Sequence, residues 1–440
     1  MKERPDNMQT HGLFEILKGP GIGRIFSELY GRDEKIVQEQ IRRYERLVTQ
    51  FQKHFSGEPA YLFSSPGRTE IGGNHTDHNS GRVLAASVNL DTIAAVSENG
   101  KSEVKIFSET FPKPFVVDLD ELKPQTKEEG TTTSLIRGIA ARFKELGYKI
   151  GGFNAFITSD VLIGSGLSSS ASVEVLIGTI FNSLFNSGKI NSETIAVIGQ
   201  YAENNYFNKP CGLMDQMTIA VGGIVAIDFK NSGEPAITKV DFDLSSHDYS
   251  ILVVDTGGNH ADLTEDYASI PREMKSVAHE LGKLVCRDIT LEQLLDKIPM
   301  LREKPGDRAV LRAMHFIMEN ERVVKQVAAL ENDDLEKFLE LINESGNSSF
   351  KWLQNCYTPK NPEEQGITLA LALTEQYLME CNEEGACRVH GGGFAGTIQV
   401  FMPNAITEEY IQRMEKIFGH NSVEILNVRS FGPLYLNAEI

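Results

Sequence analysis

Ile163-Gly164-Ser165-Gly166-Leu167-Ser168-Ser169-Ser170-Ala171 joins two stretches of different hydrophobic period. Before it, Phe153, Ala155 and Ile157 alternate with their neighbours as in a half-buried strand. After it, Val173, Leu176, Ile177, Ile180 and Leu184 recur at helical spacing from about Ser168. A strand, a glycine turn and a helix follow one another. Glycines let the backbone approach a ligand, and the first N–H groups of a helix have no partner within it. Three hydroxyls add donors and the helix dipole favours an anion, so the stretch has the chemistry of a phosphate cradle without the lysine of a P-loop. The same serines would also serve as plain helix N-caps.

Outward from this unit the chain keeps a mixed pattern. Ile36, Ile41, Tyr44, Leu47, Val48 and Phe51 predict a surface helix over 34–56, and 61–92 has the signature of strands and a hairpin. A second helix is expected from Ser192 to about Phe207, and strands at 224–229 and 250–255. Residues 264–385 read as mostly helical, followed by a β-rich section with a helix at 407–418. Gly19-Pro20-Gly21-Ile22-Gly23-Arg24 is expected to be a simple loop. The order is α+β and not a regular β-α alternation.

Composition narrows the function classes. The 440 residues are 41% hydrophobic and 24% charged, a globular balance with room for two to four domains. The formal charge of −18 argues against nucleic acid or an anionic membrane face as a partner, so any anionic ligand must be held locally. No signal-like N-terminus and no window of about 18 apolar residues occurs, and Cys211, Cys286, Cys356, Cys381 and Cys387 form no C-x-x-C pair. A cytoplasmic protein with inert thiols is expected.

Two further glycine-rich stretches stand out. Gly391-Gly392-Gly393-Phe394-Ala395-Gly396 formally matches G-x-G-x-x-G, but Thr397 to Phe401 continues as a strand where a dinucleotide fold needs a helix. No H-R-D or D-F-G sequence supports a protein kinase. A tight turn packed against another loop remains, functional or structural. Ser65 to Gly81 concentrates polar groups between glycines; His75, Asp77 and His78 could be metal ligands, but adjacent residues off a helix converge poorly, and a polar small molecule such as a sugar fits better.

In this order the stretches resemble the three motifs of the GHMP small-molecule kinases, and most closely the galactokinase branch. Pro66-Gly67-Arg68, Gly73, His75-Thr76-Asp77 and Asn79 are similar to its first signature, Gly164–Ala171 to the second and Gly391–Gly396 to the third. Pro210-Cys211-Gly212-Leu213-Met214-Asp215-Gln216 resembles a fourth block, so that the resemblance spans about 40–435. It implies ATP-dependent phosphorylation of the anomeric hydroxyl of a galactose-like sugar. It also implies a two-domain α+β fold: an N-terminal domain like ribosomal protein S5 and a ferredoxin-like C-terminal domain, with the active site in the cleft between them. The expected division is an extension at 1–35, then 36–235 and 236–440.

Carried onto matching positions, Asp215 would be the catalytic carboxylate and Arg68 its partner. Gly164, Ser165, Gly166, Leu167, Ser168, Ser169, Ser170 and Ala171 would bind ATP, and Ser170 and Glu203 would hold Mg2+. Asn74, His75, Asp77, Gly212 and Tyr267 would meet the sugar, although Glu203 would also suit a solvated helix and Tyr267 a core position.

Departures from the pattern bear on the substrate. The branch usually has Val-Asn-Leu-Ile-Gly-Glu-His where this chain has Thr69-Glu70-Ile71-Gly72-Gly73-Asn74-His75, and His78 replaces a usual tyrosine. The family glutamate, implied to contact the C6 end, is therefore Asn74. A 6-deoxy sugar, a pentose such as L-arabinose, a uronic acid such as galacturonate, or N-acetylgalactosamine competes with galactose as the expected substrate. A non-catalytic sugar and ATP sensor is the alternative from another class, but such relatives lack a Ser-Ala dipeptide that Ser170-Ala171 supplies here. The oligomeric state is left open, with a monomer expected.

Overall fold

The structure, a computed structural model, describes residues 13–14, 17–161, 166–231, 233–258 and 263–436. In chain order the elements are α1 (Pro20–Tyr30), α2 (Glu34–His54), β1 (Tyr61–Gly72), β2 (Arg82–Glu98), β3 (Glu103–Ser108), β4 (Phe115–Asp118), α3 (Thr132–Glu145) and β5 (Phe153–Ser159). Next come α4 (Ser169–Asn186), α5 (Ser192–Ala202), α6 (Met214–Val221), β6 (Ile224–Asp228), β7 (Ala236–Val240), β8 (Tyr249–Asp255) and α7 (Thr264–Glu280). After two short helices over 291–303 follow α8 (Asp307–Glu331), α9 (Leu335–Ser348), α10 (Gly366–Cys381), β9 (Ala386–Val389), β10 (Thr397–Pro403), α11 (Asn404–Phe418), β11 (Val423–Leu426) and β12 (Leu434–Tyr435).

Among the described residues the strands form two sheets. The eight-stranded sheet runs β12-β1-β2-β5-β3-β4, with β6 also on β2 and β7 on β6; the four-stranded sheet runs β11-β8-β10-β9. Strand β2 shows how sequence builds the first layer. Its alternation sends Ala94 and Val96 into a core with Ile136 and Phe143 of α3 and Val175 and Ile180 of α4. Ile93 and Ala95 point the other way, into a second core with Tyr44, Leu47 and Phe51 of α2 and Phe26 and Tyr30 of α1. Both faces are therefore covered by helices. The second sheet packs Val254, Ile398 and Val400 against Ile367, Tyr377 and Tyr410 of α10 and α11.

One sequence expectation changes here, and two strand pairings bear on how the chain is divided. The stretch 19–24 is not a loop: Gly19 is the N-cap of α1 with Pro20 in the first turn, where a missing N–H costs nothing, and Ile22 is buried. Helix α1, ahead of α2, is thus part of the fold. Strand β7 hydrogen-bonds to β6 from Ile224↔Val240 to Asp228↔Ala236, so the division expected at 235/236 falls in a hairpin of the first sheet. β12 also returns to that sheet, pairing with β1 at Phe63↔Tyr435. No described helix is long and apolar enough to cross a membrane.

A buried carboxylate pins these pieces. Asp91, with no exposed surface, accepts from Arg43 Nη1 at 2.6 Å, Tyr30 hydroxyl at 2.7 Å, Arg429 Nη1 at 3.2 Å and the Ser64 hydroxyl. Its backbone carbonyl takes the Asp160 N–H at 3.0 Å, and Arg43 Nε lies 3.0 Å from the Asp160 carboxylate. One residue of β2 therefore ties α1, α2, β1 and the C-terminal segment to the start of the glycine turn after β5.

Candidate active site

Strand β1 and the glycine turn approach closely at Gly67. A Cβ there would stand 3.1 Å from the Leu167 carbonyl and 3.2 Å from Val161, so a side chain would push the turn away. The next residue, Arg68, donates its backbone N–H to Leu167 O at 3.1 Å and its Nη1 to the Gly166 carbonyl. Its Nε and Nη2 both lie 2.8 Å from Asp215 Oδ1. Gly166 (φ +74°) and Ser168 (φ 59°) are left-handed, which turns the chain into α4. The Ser168 hydroxyl donates to Asp215 Oδ2. Gly164 and Ser165 lie outside the described residues; Leu167, Ser169, Ser170 and Ala171 lie at or in the start of α4.

Asp215 sits in the first turn of α6 with its side chain 32% exposed. Burial pushes its carboxyl up, but the Arg68 guanidinium and hydrogen bonds from Ser168 and Arg68 outweigh this and hold it below the usual carboxylate range. An ionised, partly open carboxylate thus stands beside the amino end of α4.

The loop after β1 carries two of the other polar groups, His75 and Asp77. A Cβ on Gly212 would collide with the Asp77 carboxylate, so these two residues touch. His75 takes a left-handed φ of 59° and lies 2.9 Å by its Nε2 from the Gly392 carbonyl. A carbonyl only accepts, so Nε2 carries the proton and Nδ1 is left as an acceptor. Burial lowers the His75 imidazole to about 4. Tyr267 is half-buried, donates its hydroxyl to Gly393 O at 2.9 Å and packs its ring on Gly392, where a Cβ would lie 2.6 Å from Cε1. The Gly391–Gly396 turn is therefore a meeting point of the two sheets, followed by β10 as a strand and not by a helix.

Asn74 differs from expectation. It has no exposed surface, and its Nδ2 donates to Glu70 Oε1 at 2.9 Å and Gly391 O at 2.7 Å. Its Oδ1 accepts from Ser349 at 3.2 Å and Asn355 at 2.9 Å. All four of its hydrogen-bonding positions are used inside the protein, which leaves none for a sugar.

Ser170 and Glu203 come together, Oγ to Oε1 at 3.4 Å. Glu203 also accepts from Lys209 Nζ at 3.0 Å and from Gln216 Nε2 at 2.9 Å, and Gln216 Nε2 reaches Glu174 at 2.9 Å. Among the described residues no group of three His, Cys, Asp or Glu could hold a metal by itself. One carboxylate and one hydroxyl fit a magnesium ion that takes its remaining ligands from phosphate oxygens and water.

Sequence reasoning missed His390. Its Nε2 is 3.0 Å from the Thr69 hydroxyl and its Nδ1 3.0 Å from Thr397 Oγ1, while Gln399 donates to Thr69 at 2.6 Å. A Cβ on Gly166 would lie 2.8 Å from His390 Nδ1, so this imidazole backs the glycine turn. A single histidine before a glycine triplet carries no sequence signal of that role.

Comparison with known proteins fits this arrangement. The galactokinase galactose-binding signature matches residues 49–98, and the GHMP kinases N terminal domain matches 134–223. A galactokinase of Glaesserella parasuis is 30% identical over 381 residues, covering 86% of this chain and 93% of the relative. The chain belongs to the galactokinase family of GHMP kinases. A second member, from Clostridium acetobutylicum, is 30% identical over 396 residues, covering 87% and 96%. In fold, the chain is similar to Lactococcus lactis galactokinase complexed with galactose, at TM-score 0.76 and 24% identity over 88% of this chain and 98% of that one. It is also similar to Methanococcus jannaschii mevalonate kinase, at TM-score 0.60 and 15% identity, covering 84% and 98%.

The buried imidazoles of this galactokinase-family chain have a consequence for stability. Burial lowers His75 and His315, and burial with the charges of Arg68 and Arg388 lowers His390 well below the ordinary value. An unfolded chain binds these protons at a pKa of about 6.5 while the folded one refuses them, so stability is full above that pH and falls as pH drops through it. Carboxylates held low, Asp215 and, at about 2, Glu319, add to the loss only at lower pH. Buried Glu174 and Glu70, whose carboxyls burial pushes up, work in the opposite direction, so the effect of the imidazole is read by comparison: between about pH 6.5 and 5 the change in thermal midpoint is expected to be less unfavourable in His390→Gln than in the parent. The same pH dependence in both proteins would contradict the neutral assignment of His390.

Proposed function

We propose that the protein transfers the γ-phosphoryl group of ATP to the anomeric hydroxyl of galactose, giving galactose 1-phosphate and ADP. The observation that carries this reading is the Arg68–Asp215 pair at the amino end of α4, because it puts an ionised carboxylate and a guanidinium where a sugar hydroxyl and a phosphate would meet. In the reaction the sugar O1 attacks the γ-phosphorus, the bond from that phosphorus to the β,γ-bridging oxygen breaks, and the O1 proton passes to Asp215. The depressed pKa makes Asp215 a weak base. That suits a loose phosphoryl-transfer transition state, in which orienting the hydroxyl counts for more than removing its proton early.

Arg68 stabilises the charge on the transferred group and keeps Asp215 ionised. The glycine-rich stretch at 164–168 and the first amides of α4 would hold the phosphates. Ser170 and Glu203 would hold magnesium, which when bound neutralises charge on the β- and γ-phosphates. His75 through Nδ1, Asp77, the backbone at Gly212 and Tyr267 would line the sugar.

The saturated side chain of Asn74 favours a second, narrower reading: the C6 end of the sugar is read loosely. A charge-assisted hydrogen bond to a hydroxyl is worth about 1.5–3 kcal/mol, and Asn74 cannot supply one.

Sugar-dependent ADP release tests the activity. Asp215→Ala is expected to lose at least ~10²-fold in kcat, the usual scale for removing a group that handles the proton, while still binding galactose. Turnover at the parent rate would refute the assignment of Asp215. In the same assay kcat/KM for L-arabinose is expected within about tenfold of galactose, since the hydrogen bond that would widen the gap is missing. Discrimination of several hundredfold in favour of galactose would show that another group reads C6.

A further inference from the structure

The turn that carries Glu203 is built around one lysine. Glu203 opens a π-helical turn over Glu203–Phe207, which ends at Asn208 in the left-handed region with φ 64°. The next residue, Lys209, donates its backbone N–H to the Glu203 carbonyl at 3.2 Å, and its ammonium returns to the same residue at 3.0 Å from Oε1. The segment is fixed on its far side as well: Cys211 N–H donates to Asn204 Oδ1 at 2.7 Å, and Gln200 donates to Cys211 O at 3.2 Å. The stem of Lys209 thus starts from a braced point beside the carboxylate that it neutralises.

The two oxygens of Glu203 are not equivalent. Oε2 takes the Gln216 amide at 2.9 Å, and the same amide nitrogen holds Glu174. Oε1 is left for Lys209 and for the Ser170 hydroxyl at 3.4 Å. This is the oxygen that a cation shared with Ser170 would use. Glu174 and Glu203 are both buried, and among the described residues Lys209 is the cation paired with Glu203. The pair is also lopsided in exposure, with 61% of the lysine side chain accessible against 4% for the glutamate. The ammonium can therefore swing into solvent, while the carboxylate cannot follow it.

We propose that Lys209 is a resident counter-ion of Glu203 that occupies the place of a divalent cation in the empty enzyme, so that the metal enters with the nucleotide phosphates and not before them. This inference rests on the reading of Ser170 and Glu203 as cation ligands. Without a nucleotide, a divalent ion must displace an ammonium 3.0 Å from the Glu203 oxygen that faces Ser170, and the two like charges repel at short range. With a nucleotide present, phosphate oxygens give the displaced ammonium a new anionic partner and give the metal further ligands, so the penalty falls. Lys209 would then be a positioning residue whose effect is on the order of binding.

The test is a titration of the full chain with Mn2+ followed by electron paramagnetic resonance, with and without ADP, in the parent, Lys209→Ala, Lys209→Met and Glu203→Gln. Without ADP, both lysine variants are expected to bind Mn2+ at least ~10-fold more tightly than the parent, as removal of an adjacent charge implies. With ADP the difference between parent and variants is expected to shrink. Lysine variants with the parent's Mn2+ affinity in the absence of ADP would overturn the proposal while leaving the cation site intact, provided Glu203→Gln weakens binding in the presence of ADP. Binding with ADP that is indifferent to Glu203→Gln would overturn both the proposal and the cation site on which it rests.

Discussion

Arg68 is the residue on which the rest of the cleft depends. Only 6% exposed, it directs Nε and Nη2 to Asp215, Nη1 to Gly166 O and its backbone N–H to Leu167 O. Strand β1, the glycine turn and the start of α6 are thereby set against one another by a single rigid fork. A lysine could not substitute, since an ammonium is a point charge without the planar array of donors. The approach also requires Gly67, and it falls where the β1–β2 register shifts between Pro66 and Gly67. The regular sheet is broken at the place where its strand delivers the arginine.

A second set of contacts closes the cleft from the other sheet. Arg388, just before the glycine triplet, pairs with Glu70 Oε1 at 2.8 Å and donates to Ile71 O at 2.5 Å, both on β1. Asn74 joins Glu70 to Gly391, and His75 and Tyr267 bind the next two carbonyls. Relative to the pattern usual in the galactokinase branch, the asparagine and glutamate have changed places, to Glu70 and Asn74. The exchange is internally consistent, because the carboxylate in its new place meets Arg388 and the amide in its new place meets two carbonyl-type acceptors and two donors. Buried polar networks of this kind fix a geometry more than they add stability. The acidic balance of the whole chain does not conflict with an anionic substrate, since the donors proposed for phosphate are local.

Much of this was legible in the sequence, for definable reasons. Helix α2, the β1–β2 hairpin and the turn into α4 announced themselves by hydrophobic period and glycine placement. Gly391–Gly396 was rightly separated from a dinucleotide motif by the strand that follows it. What escaped was set by partners far along the chain. Glycine and proline cluster both in loops and at helix starts, so the opening of α1 at Gly19-Pro20 looked like a loop. Strands β7 and β12 are short and largely exposed or half-buried, so they leave no apolar run. The fate of Asn74 is decided by Ser349, Asn355 and Gly391, and that of His390 by Thr69, none of which local pattern can supply. Lys209 carries no local signal of its role, because only the folded turn brings it back onto Glu203.

In the function proposed above, the Arg68–Asp215 pair directs a phosphoryl group from ATP onto the anomeric oxygen of a galactose-like sugar. Phosphorus nuclear magnetic resonance of the products formed from ATP and galactose tests it most directly. A sugar phosphate whose phosphorus is coupled to the anomeric proton is expected to accumulate in step with ADP. Phosphate attached at C6, or inorganic phosphate released with no sugar ester, would contradict it.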